Sequence, residues 1–483
     1  MRKTKIVATI GPASKSKGKL KDMIDGGMDI ARQNFSHGTH EQHKKIFEHV
    51  RSLSDEIGIM VDTQGPEIRL KKIKEGTILK KGKKVKIVVD DVTGDEKTLP
   101  VDYPKIMDYL EEGDTILIDD GQIEIRVDSI DEKVKGTVIY GGPILSKKSV
   151  NIPGKEVGLK TPTKKDVRDI KFGIKNGFDF VSASFVKSAE DVKNIRKILD
   201  ENDSKMEVIA KIEHLKAVEN LDSILKETDG IMIARGDLGV EVPASDVPTL
   251  QKKIIEKCNE MEKPVITATQ MLKSMTDSPR ATRAEVSDVA NAVMDGSDAV
   301  MLSEETAVGQ YPVKSIRFMS EIIEKMENYL HGRVHHTVSL KSRDVADIIS
   351  KNVWQASRDT DAKYIIAHTS SGYTGKKIAK LRPDTDIIVF TNSRLVRRQM
   401  KLVWGVKAFY MEFPEHVDEM ICNSVELLKN KNMVSNDDLL ILTAGIPAPI
   451  SGVTNMMEIR TVESIIDEKK ALIKKEKKRR KLS

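Results

Sequence analysis

The stretch DGIMIARGDLGVEVP, residues 229–243, joins a short apolar run to a polar turn. The run GIMIA is typical of a buried strand, and Arg235, Gly236 and Asp237 follow it without a spacer. Acidic side chains are rarely buried unless something pairs with them, so the position of Asp237 needs an explanation. The recurrence of this arrangement along the chain decides the fold.

Apolar, β-branched runs of this kind recur eight times in the first 330 residues. They are KIVATIG, MDIARQNF, IGIMVDT, FDFVSASF, EVIAKIE, GIMIAR, PVITATQ and DAVMLS. The segments between them, such as HEQHKKIFEHVRSLSDE, place apolar residues at three- and four-residue spacing, which is typical of helices. Buried strands alternating with helices predict a parallel sheet, and eight such units close a (β/α)8 TIM barrel.

A stretch with a different hydrophobic pattern interrupts the alternation of strands and helices. Short alternating strands such as KVKIVVDD and KGTVIYGG predict a small β-barrel lid domain, inserted after the third barrel strand. After the barrel, AKYIIAHTSSGYTGKK and DLLILTAGIPAPISG predict a C-terminal open α/β domain. The predicted boundaries are 1–65 and 161–335 for the barrel, 66–160 for the lid, 340–475 for the C-terminal domain and 476–483 for a basic tail.

The composition excludes several classes of protein. The chain is 39% hydrophobic and 32% charged, which indicates a globular rather than a disordered protein. Much of its net charge of +6 lies in the tail KKEKKRRKLS, so we expect no broad basic face for nucleic acid. We also expect no membrane span, which needs roughly 20 apolar residues. With only Cys258 and Cys422, and no signal-peptide pattern, we expect a cytoplasmic protein.

The carboxyl ends of the predicted barrel strands, where such barrels place their active sites, are unusually polar. These positions carry Arg32, Asn34, Ser36, His37, Asp62, Thr63, Lys211, Glu213, Arg235, Gly236, Asp237, Thr267, Thr269, Gln270, Ser303, Glu304 and Glu305. A single residue of this kind commonly only bonds to its own loop. Six strands converging on one rim indicate a shared site.

Lys211 and Glu213 lie two residues apart on a strand and therefore point to the same side. With Asp237 nearby, two carboxylates could hold Mg²⁺, which completes its octahedron with substrate oxygens. A lysine, an arginine and a divalent cation together are the groups that phosphoryl transfer needs. A purely structural salt bridge between Lys211 and Glu213 is the alternative.

Other polar sets predict further ion sites. The oxygens of Asn34, Ser36, Asp62 and Thr63 suit a monovalent cation better than zinc. The glycine-containing turn RGDLG exposes backbone N–H groups to a carboxylate or phosphate.

HGTHEQHKK carries three histidines at three-residue spacing, but no cysteine or acid is arranged to complete a zinc site. His37 remains a candidate for phosphate contact, and we expect His40 and His43 to be solvated. In the C-terminal domain, a loop rich in hydroxyl groups and containing a glycine lies between a strand and a helix. It is a candidate phosphate-binding loop, here called the cradle, and an ordinary strand–helix turn is an equally good interpretation. The cradle residues are Thr369, Ser370, Ser371, Gly372 and Thr374.

Together these segments resemble the pyruvate kinase family over nearly the whole chain. The motifs that carry the resemblance are KIVATIGPAS, ARQNFSHGTHE, VDTQGPEIR, NIPGKEVGL, IAKIEH, GIMIARGDLGVE, ATQMLKSM, ATRAEVSDVANAV and DGSDAVMLSEETAVGQYP. The resemblance implies transfer of the phosphoryl group of phosphoenolpyruvate to ADP, giving pyruvate and ATP. It also implies Mg²⁺ or Mn²⁺, K⁺, a homotetramer and a regulatory C-terminal domain with a phosphorylated effector.

The resemblance implies roles for individual residues. The residues implied to bind substrate or act in catalysis are Lys211, Arg32, Gly236, Asp237, Thr269 and Ser303. Those implied to bind Mg²⁺ are Glu213 and Asp237, and those implied to bind K⁺ are Asn34, Ser36, Asp62 and Thr63. Those implied to lie at the nucleotide are Asn34, Ser36, His37, Arg69 and Lys148.

Three positions of VDTQGPEIRL bear on the K⁺ requirement. Glu67 is the acid of K⁺-dependent members, whereas Gln64 and Leu70 depart from their common lysine and threonine. We expect K⁺ dependence, because Glu67 would otherwise leave a negative charge unbalanced. The segment TAGIPAPISGVTN lacks the basic and aromatic residues typical of fructose 1,6-bisphosphate binding, which leaves another phosphorylated effector or none.

Two other functions remain open from the sequence. One is a different barrel enzyme acting on phosphoenolpyruvate or an enolate, although a nucleotide lid is unnecessary there. The other is a regulatory or nucleic-acid-binding relative that uses the basic tail, although an intact Lys211, Glu213 and Asp237 argue against a dead enzyme.

Overall fold

The computed structural model describes residues 2–131, 133–155, 157–332, 344–445 and 454–468. Within these ranges the chain forms three sheets, and each sheet has its own hydrophobic core. The predicted basic tail lies outside the described residues. The exact domain boundaries stay a prediction, so the units are described below by their strands.

Eight parallel strands close into a barrel in chain order, with Ile6 of the first strand paired to Val300 of the eighth. The strands are Lys5–Thr9, Ile30–Asn34, Gly58–Asp62, Phe180–Ala183, Glu207–Ile212, Gly230–Ala234, Val265–Ala268 and Ala299–Leu302. They coincide with the eight apolar runs, so the predicted (β/α)8 barrel is confirmed.

Helices follow the barrel strands, and the longer ones cover the outside of the barrel. The helices are Lys17–Asp25, His40–Leu53, Lys164–Asn176, Ala189–Asp200, Leu215–Glu219, Leu221–Glu227, Arg235–Glu241, Val247–Glu260, Arg283–Met294, Glu304–Ala307 and Pro312–Leu330. Four of them begin with a capping box, in which a Ser or Thr and the third helical residue satisfy each other's backbone N–H groups. The capping residues are Thr39, Thr163, Ser188 and Thr282.

Alternate residues of the strands point into the barrel. Ile209 and Met232 belong to the apolar interior cluster, as does Val7, and Lys5, two residues before Val7, is buried at the amino-terminal end of the barrel. Lys211 lies two residues beyond Ile209 on the fifth strand, so its side chain also points inward, at the carboxyl end. The apolar interior therefore ends where the polar strand ends begin.

The lid is a seven-stranded sheet between the third barrel strand and the helix Lys164–Asn176. Its strands are Ile68–Arg69, Lys84–Val88, Thr98–Pro100, Thr115–Ile118, Ile123–Ile130, Val134–Tyr140 and Ser149–Asn151. A β-bridge between Leu70 and Val101 joins its two edges, so the sheet closes on itself as predicted.

The C-terminal unit is a five-stranded sheet in which four strands are parallel and the last is antiparallel. In spatial order the strands are Val406–Tyr410, Asp386–Thr391, Tyr364–His368, Leu439–Ala444 and Met456–Thr461. Its helices are Val345–Asp359, Tyr373–Ala379, Arg394–Gln399 and Val417–Asn430. Short 3₁₀ turns occur at Ile106–Tyr109, Lys273–Thr276 and Met400–Leu402.

The C-terminal unit packs on the amino-terminal end of the barrel. Leu402 is fully buried and joins the interior cluster of the barrel. Arg398 pairs with Asp179 just before the fourth barrel strand, and Lys376 pairs with Glu207 at the start of the fifth, each at 2.6 Å. The barrel is thus closed below by the C-terminal unit and covered above by the lid.

Among the described residues, no helix has the length and apolar character needed to cross a membrane.

We expect Leu402→Ala to lower the free energy of unfolding by about 2–5 kcal/mol, because it leaves a cavity at the floor of the barrel. Leu145→Ala is the matched control, since Leu145 is 56% exposed. That control should change stability by less than about 0.5 kcal/mol. Urea unfolding followed by circular dichroism measures both, and equal losses would contradict the plugging role of Leu402.

Candidate active site

The polar strand ends face a cleft of about 320 Å³ between the barrel and the lid. The barrel contributes His37 and Asp237 to its lining, and the lid contributes Arg69 and Lys148. Residues predicted from four separate parts of the sequence therefore meet in one space. This is the candidate active site.

Four buried ionic side chains lie together at the carboxyl ends of the second, third and fifth barrel strands, and we call this cluster the floor of the site. Lys211 Nζ lies 2.7 Å from Glu213 Oε1 and 3.3 Å from Asp62 Oδ1, and Arg32 pairs with the other oxygen of Asp62. Burial by itself lowers the pKa of Lys211, but the two carboxylates outweigh it and raise the pKa above its usual value. Lys211 is therefore a permanent cation at the centre of the barrel mouth.

Asp62 is ionised because two cations lie beside it. Burial tends to raise the pKa of its carboxyl group, but Arg32 and Lys211 overcome this and hold the pKa below its ordinary value. The salt bridge between Lys211 and Glu213 that the sequence offered as an alternative exists. It is one contact within a larger network, and it does not exclude a catalytic role.

Sequence reasoning missed Ser184 and Phe185, which position this network. Lys211 Nζ donates a hydrogen bond to Ser184 Oγ at 2.7 Å, and Ser184 Oγ donates to the carbonyl oxygen of Thr63 at 2.7 Å. The backbone N–H of Phe185 donates to Glu213 Oε2 at 2.7 Å. Both residues end the fourth apolar run, FDFVSASF, and follow its strand directly, which was a signal that the sequence contained.

Asp237 and Glu213 are two neighbouring carboxylates that could hold a metal. Burial and the charge of Glu213 raise the pKa of Asp237 to about 7, so a bound cation would be favourable there. The part of the chain that the structure describes contains no cluster of three or more His, Cys, Asp or Glu side chains suited to a metal. Two protein carboxylates suit Mg²⁺, because it takes its other ligands from water and substrate.

The turn after the sixth strand faces the end of the seventh. The N–H of Gly236 donates to Thr269 Oγ1 at 2.8 Å, and this hydroxyl donates to the carbonyl oxygen of Ala268. Arg235 points elsewhere and makes a two-pronged pair with Asp288 at 2.7 Å, while it also donates to the carbonyl oxygen of Thr269. Arg235 therefore supports the strand ends instead of facing the cleft floor.

The eighth strand contributes Ser303, which is half-buried. Its backbone N–H donates to Glu305 Oε2 at 2.8 Å, and the other oxygen of Glu305 accepts from the N–H of Leu272. Glu305 is thus used to hold loops, and the exposed Glu304 pairs with Lys273. Ser303 is thus the residue that places a hydroxyl group near the rim at the end of this strand.

The predicted K⁺ residues come from neighbouring strands. Asn34 and Asp62 are direct partners in the register of the second and third strands. Asn34 Oδ1 accepts from the N–H of Ser36 at 3.0 Å, and Thr63 Oγ1 accepts from the N–H of Ser184 at 3.1 Å. Asn34 and Asp62 therefore lie on adjacent strands, whereas the hydroxyl of Thr63 is directed to the fourth strand.

One premise of the K⁺ prediction was wrong. Glu67 is not an unbalanced charge, because Arg69 Nε donates to Glu67 Oε2 at 2.6 Å. Burial raises the pKa of Glu67 above its ordinary value, although the pairing with Arg69 lowers it. In the lid, Arg69 also donates to the carbonyl oxygen of Lys147, and Lys148 Nζ lies 2.7 Å from Asp119.

The histidines of HGTHEQHKK have different environments. His37 lines the cleft, and His40 is partly exposed, with 45% of its side chain accessible. The expectation that His43 is solvated was wrong, because only 6% of this residue is exposed. It lies on the inner face of the helix His40–Leu53, where the helix packs on the second barrel strand.

The candidate effector turn connects a strand to the helix Tyr373–Ala379. Gly372 has φ +84°, and its N–H donates to Thr369 Oγ1. Thr374 Oγ1 is buried against Thr454 Oγ1 at 2.7 Å, which leaves Ser370 and Ser371 as the accessible hydroxyls of the set. Most of the second segment, residues 446–453, lies outside the described residues.

A closed (β/α)8 barrel whose polar strand ends face an inserted lid is the architecture of a barrel enzyme. The family model described as the pyruvate kinase barrel domain matches residues 1–316, and the pyruvate kinase alpha/beta domain matches residues 347–460. The chain belongs to the pyruvate kinase family.

Individual relatives agree with this assignment. A pyruvate kinase of Geobacillus stearothermophilus is 44% identical over 479 residues, which covers 96% of this chain and 81% of the relative. A Staphylococcus epidermidis pyruvate kinase is 44% identical over 473 residues, with the same coverage. The crystal structure of a pyruvate kinase from Cryptosporidium parvum superposes with a TM-score of 0.89 at 38% identity, covering 95% of this chain and 96% of that one.

We expect Gly65→Ala to damage the site through packing. Gly65 has φ +74°, and a Cβ there would lie 2.6 Å from the ring of Phe185 and 2.9 Å from Ser184 Cβ. Gly177→Ala is the matched control, because Gly177 has φ +78° with nothing within 4 Å of such a Cβ. The control should cost about 1 kcal/mol of stability, and Gly65→Ala about 1–3 kcal/mol more. Equal shifts in thermal unfolding would refute this close packing.

Proposed function

We propose that this protein transfers the phosphoryl group of phosphoenolpyruvate to ADP and then protonates the enolate to pyruvate. The observation that carries the proposal is the buried, permanently charged Lys211 at the mouth of the barrel, held by Asp62 and Glu213 beneath a lid. Phosphoryl transfer needs a fixed positive charge in a site from which water is excluded.

Lys211 and Arg32 supply positive charge from two different strands. Lys211 would stabilise the phosphoryl group in transit, and Arg32 would contact the phosphoryl group of the bound substrate. Both cations are already oriented by Asp62, so little reorganisation accompanies the reaction.

Family membership implies a divalent metal and potassium. Glu213 and Asp237 would hold Mg²⁺ or Mn²⁺, and the raised pKa of Asp237 supports this, since a cation would relieve the repulsion between the two carboxylates. When bound, the metal supplies Lewis-acid stabilisation of charge on substrate oxygens. The carboxylates remain the groups that place it beside Lys211.

The substrate carboxylate would bind at the turn after the sixth strand. Gly236, Asp237 and Thr269 are the proposed contacts, and the N–H of Gly236 would exchange its hydrogen bond to Thr269 Oγ1 for one to the carboxylate. Thr269 and Ser303, on the seventh and eighth strands, would carry the proton to the enolate.

The nucleotide would occupy the cleft between barrel and lid. Arg69 and Lys148 of the lid would contact its phosphates, with His37, Asn34 and Ser36 on the barrel side. K⁺ would bind to Asn34, Ser36, Asp62 and Thr63. This K⁺ proposal now depends on the family and on the adjacency of Asn34 and Asp62, since Arg69 balances the charge of Glu67.

Assembly, regulation and location are further proposals. We infer a homotetramer, which the exposed apolar side chains of Val345 and Ile348 on the helix Val345–Asp359 support. A phosphorylated effector at Thr369–Thr374 and a cytoplasmic location stay predictions. The alternative barrel lyase or aldolase loses its basis, because the chain belongs to the pyruvate kinase family. Any role of the basic tail lies outside the described residues.

We expect Lys211→Met to reduce pyruvate formation from phosphoenolpyruvate and ADP by at least about a thousand-fold, because it removes the fixed charge at the phosphoryl group. Lys216→Met is the matched control, since Lys216 lies five residues further on and 44% of its side chain is accessible. A lactate dehydrogenase-coupled assay with ample Mg²⁺ and K⁺ measures turnover, and circular dichroism checks folding. A folded Lys211→Met with wild-type turnover, or an inactive wild type, would refute the proposal.

We expect metal affinity to depend on pH. Asp237 must lose its proton to bind a cation, and its pKa is raised to about 7. The affinity for Mn²⁺ should therefore increase as the pH rises from about 6 to about 8 and then level off, with proton release on binding. Calorimetry in buffers of different ionisation enthalpy measures both effects. Asp237→Asn should lower the affinity for Mn²⁺ and remove most of its pH dependence. Asp246→Asn, at an exposed position, should leave the affinity unchanged at every pH. A wild-type affinity that does not depend on pH would contradict the role of Asp237 as a metal ligand.

A further inference from the structure

His43 is a buried histidine that the proposed chemistry does not use. Its ring stacks on Phe35 with centroids 3.9 Å apart and planes inclined by 12°. Its Nε2 lies 2.9 Å from the carbonyl oxygen of His37, and its Nδ1 lies 2.8 Å from the side-chain amide of Gln33. Both ring nitrogens therefore have a polar partner in an otherwise apolar setting.

The protonation state of His43 follows from its partners. Burial lowers the pKa of His43, so the ring is neutral near physiological pH and carries one N–H. A carbonyl oxygen can only accept, so the proton lies on Nε2 and is donated to His37. The Nδ1 atom is then an acceptor and needs a donor.

Gln33 provides that donor once its amide is oriented by the hydrogen-bond network. With the amide oxygen toward His43, Gln33 Nε2 is a buried nitrogen without a hydrogen-bond partner. Turning the amide by half a revolution directs its NH₂ group to Nδ1 and gives this nitrogen its donor. The result is a directional chain from Gln33 through His43 to the carbonyl of His37.

This chain spans the loop that begins with Asn34. Gln33 precedes Asn34 on the second strand, and His37 follows Ser36, so the two ends of the segment are tied to one ring. The loop also packs directly on that ring, because a Cβ on Gly38 would lie 3.3 Å from His43 Nε2. Movement of His43 would therefore shift Ser36 and His37 together.

We propose, on the basis of the function proposed above for this loop, that His43 is a positioning residue which sets residues 34–38 for the nucleotide and K⁺. It contacts neither ligand itself. Its effect is exerted through the carbonyl of His37, in the way that residues behind a binding group orient it. On the phosphoenolpyruvate side, Lys211 belongs to the fifth strand. Arg32 shares the second strand with Gln33, but Asp62 and Thr9 hold its guanidinium, so this side should be much less affected.

The test compares His43→Leu with His40→Leu in the full-length protein. His40 lies one turn earlier on the same helix and pairs with Asp169 and Phe172, so it controls for loss of a histidine there. We expect His43→Leu to raise the KM for ADP and the K⁺ concentration for half-activation by about ten-fold. The KM for phosphoenolpyruvate and kcat at saturating ADP and K⁺ should change less than about two-fold.

Two further variants separate positioning from general damage. His43→Gln keeps an N–H donor near the position of Nε2 and should restore most of the ADP and K⁺ affinity. Gln33→Leu removes only the partner of Nδ1 and should shift the same two constants by a smaller factor. The positioning role would be overturned if His43→Leu left the KM for ADP and the K⁺ requirement unchanged. It would also be overturned if His43→Leu changed all the kinetic constants by a similar factor and His43→Gln did not reverse the change.

Calorimetric ADP binding in the presence of K⁺ repeats the comparison without turnover. If the wild type binds ADP but makes no pyruvate, the proposed reaction is wrong and binding to the variants still decides the role of His43. Weaker ADP binding by His43→Leu than by His40→Leu supports the role. Equal binding by the two variants, or no ADP binding by the wild type, overturns it.

Discussion

The structure depends on keeping a charged lysine dehydrated at the mouth of an apolar barrel. Ions removed from water are stable only where opposite charges and hydrogen bonds hold them in good geometry. Lys211 meets this condition through Asp62, Glu213 and Ser184, and Arg32 balances the charge of Asp62. Each partner comes from a different strand end, so the network requires a closed sheet that places these ends at fixed distances.

The rim around this network is rigid and locally strained. Phe185, Thr269 and Gln270 have φ values of +55°, +68° and +56°, a region that costs energy for residues with side chains. Phe185 uses this geometry to direct its N–H to Glu213, and Arg235 holds the carbonyl of Thr269. Strain at these strand ends is balanced by the packed barrel below, whose interior is filled with apolar side chains.

The other two units act on the barrel from opposite ends. The lid brings Arg69 and Lys148 over the cleft, and the C-terminal unit pairs Lys376 with Glu207 at the start of the strand that ends in Lys211. A shift of the C-terminal unit would therefore act on the base of the catalytic strand.

The sequence by itself determined the barrel, the inserted lid and the C-terminal sheet, because apolar periodicity and turn composition are local properties of the chain. It also predicted that Lys211, Glu213 and Asp237 lie close together, since polar residues at the carboxyl ends of barrel strands share one rim. Only the tertiary structure decided that Ser184 holds Lys211, that Arg69 balances Glu67 and that His43 is buried. The first and the last join residues on different elements, and such pairing is decided by which surfaces pack together. Arg69 and Glu67 are only two residues apart, but the sequence offered no signal to choose this pairing over a bound cation.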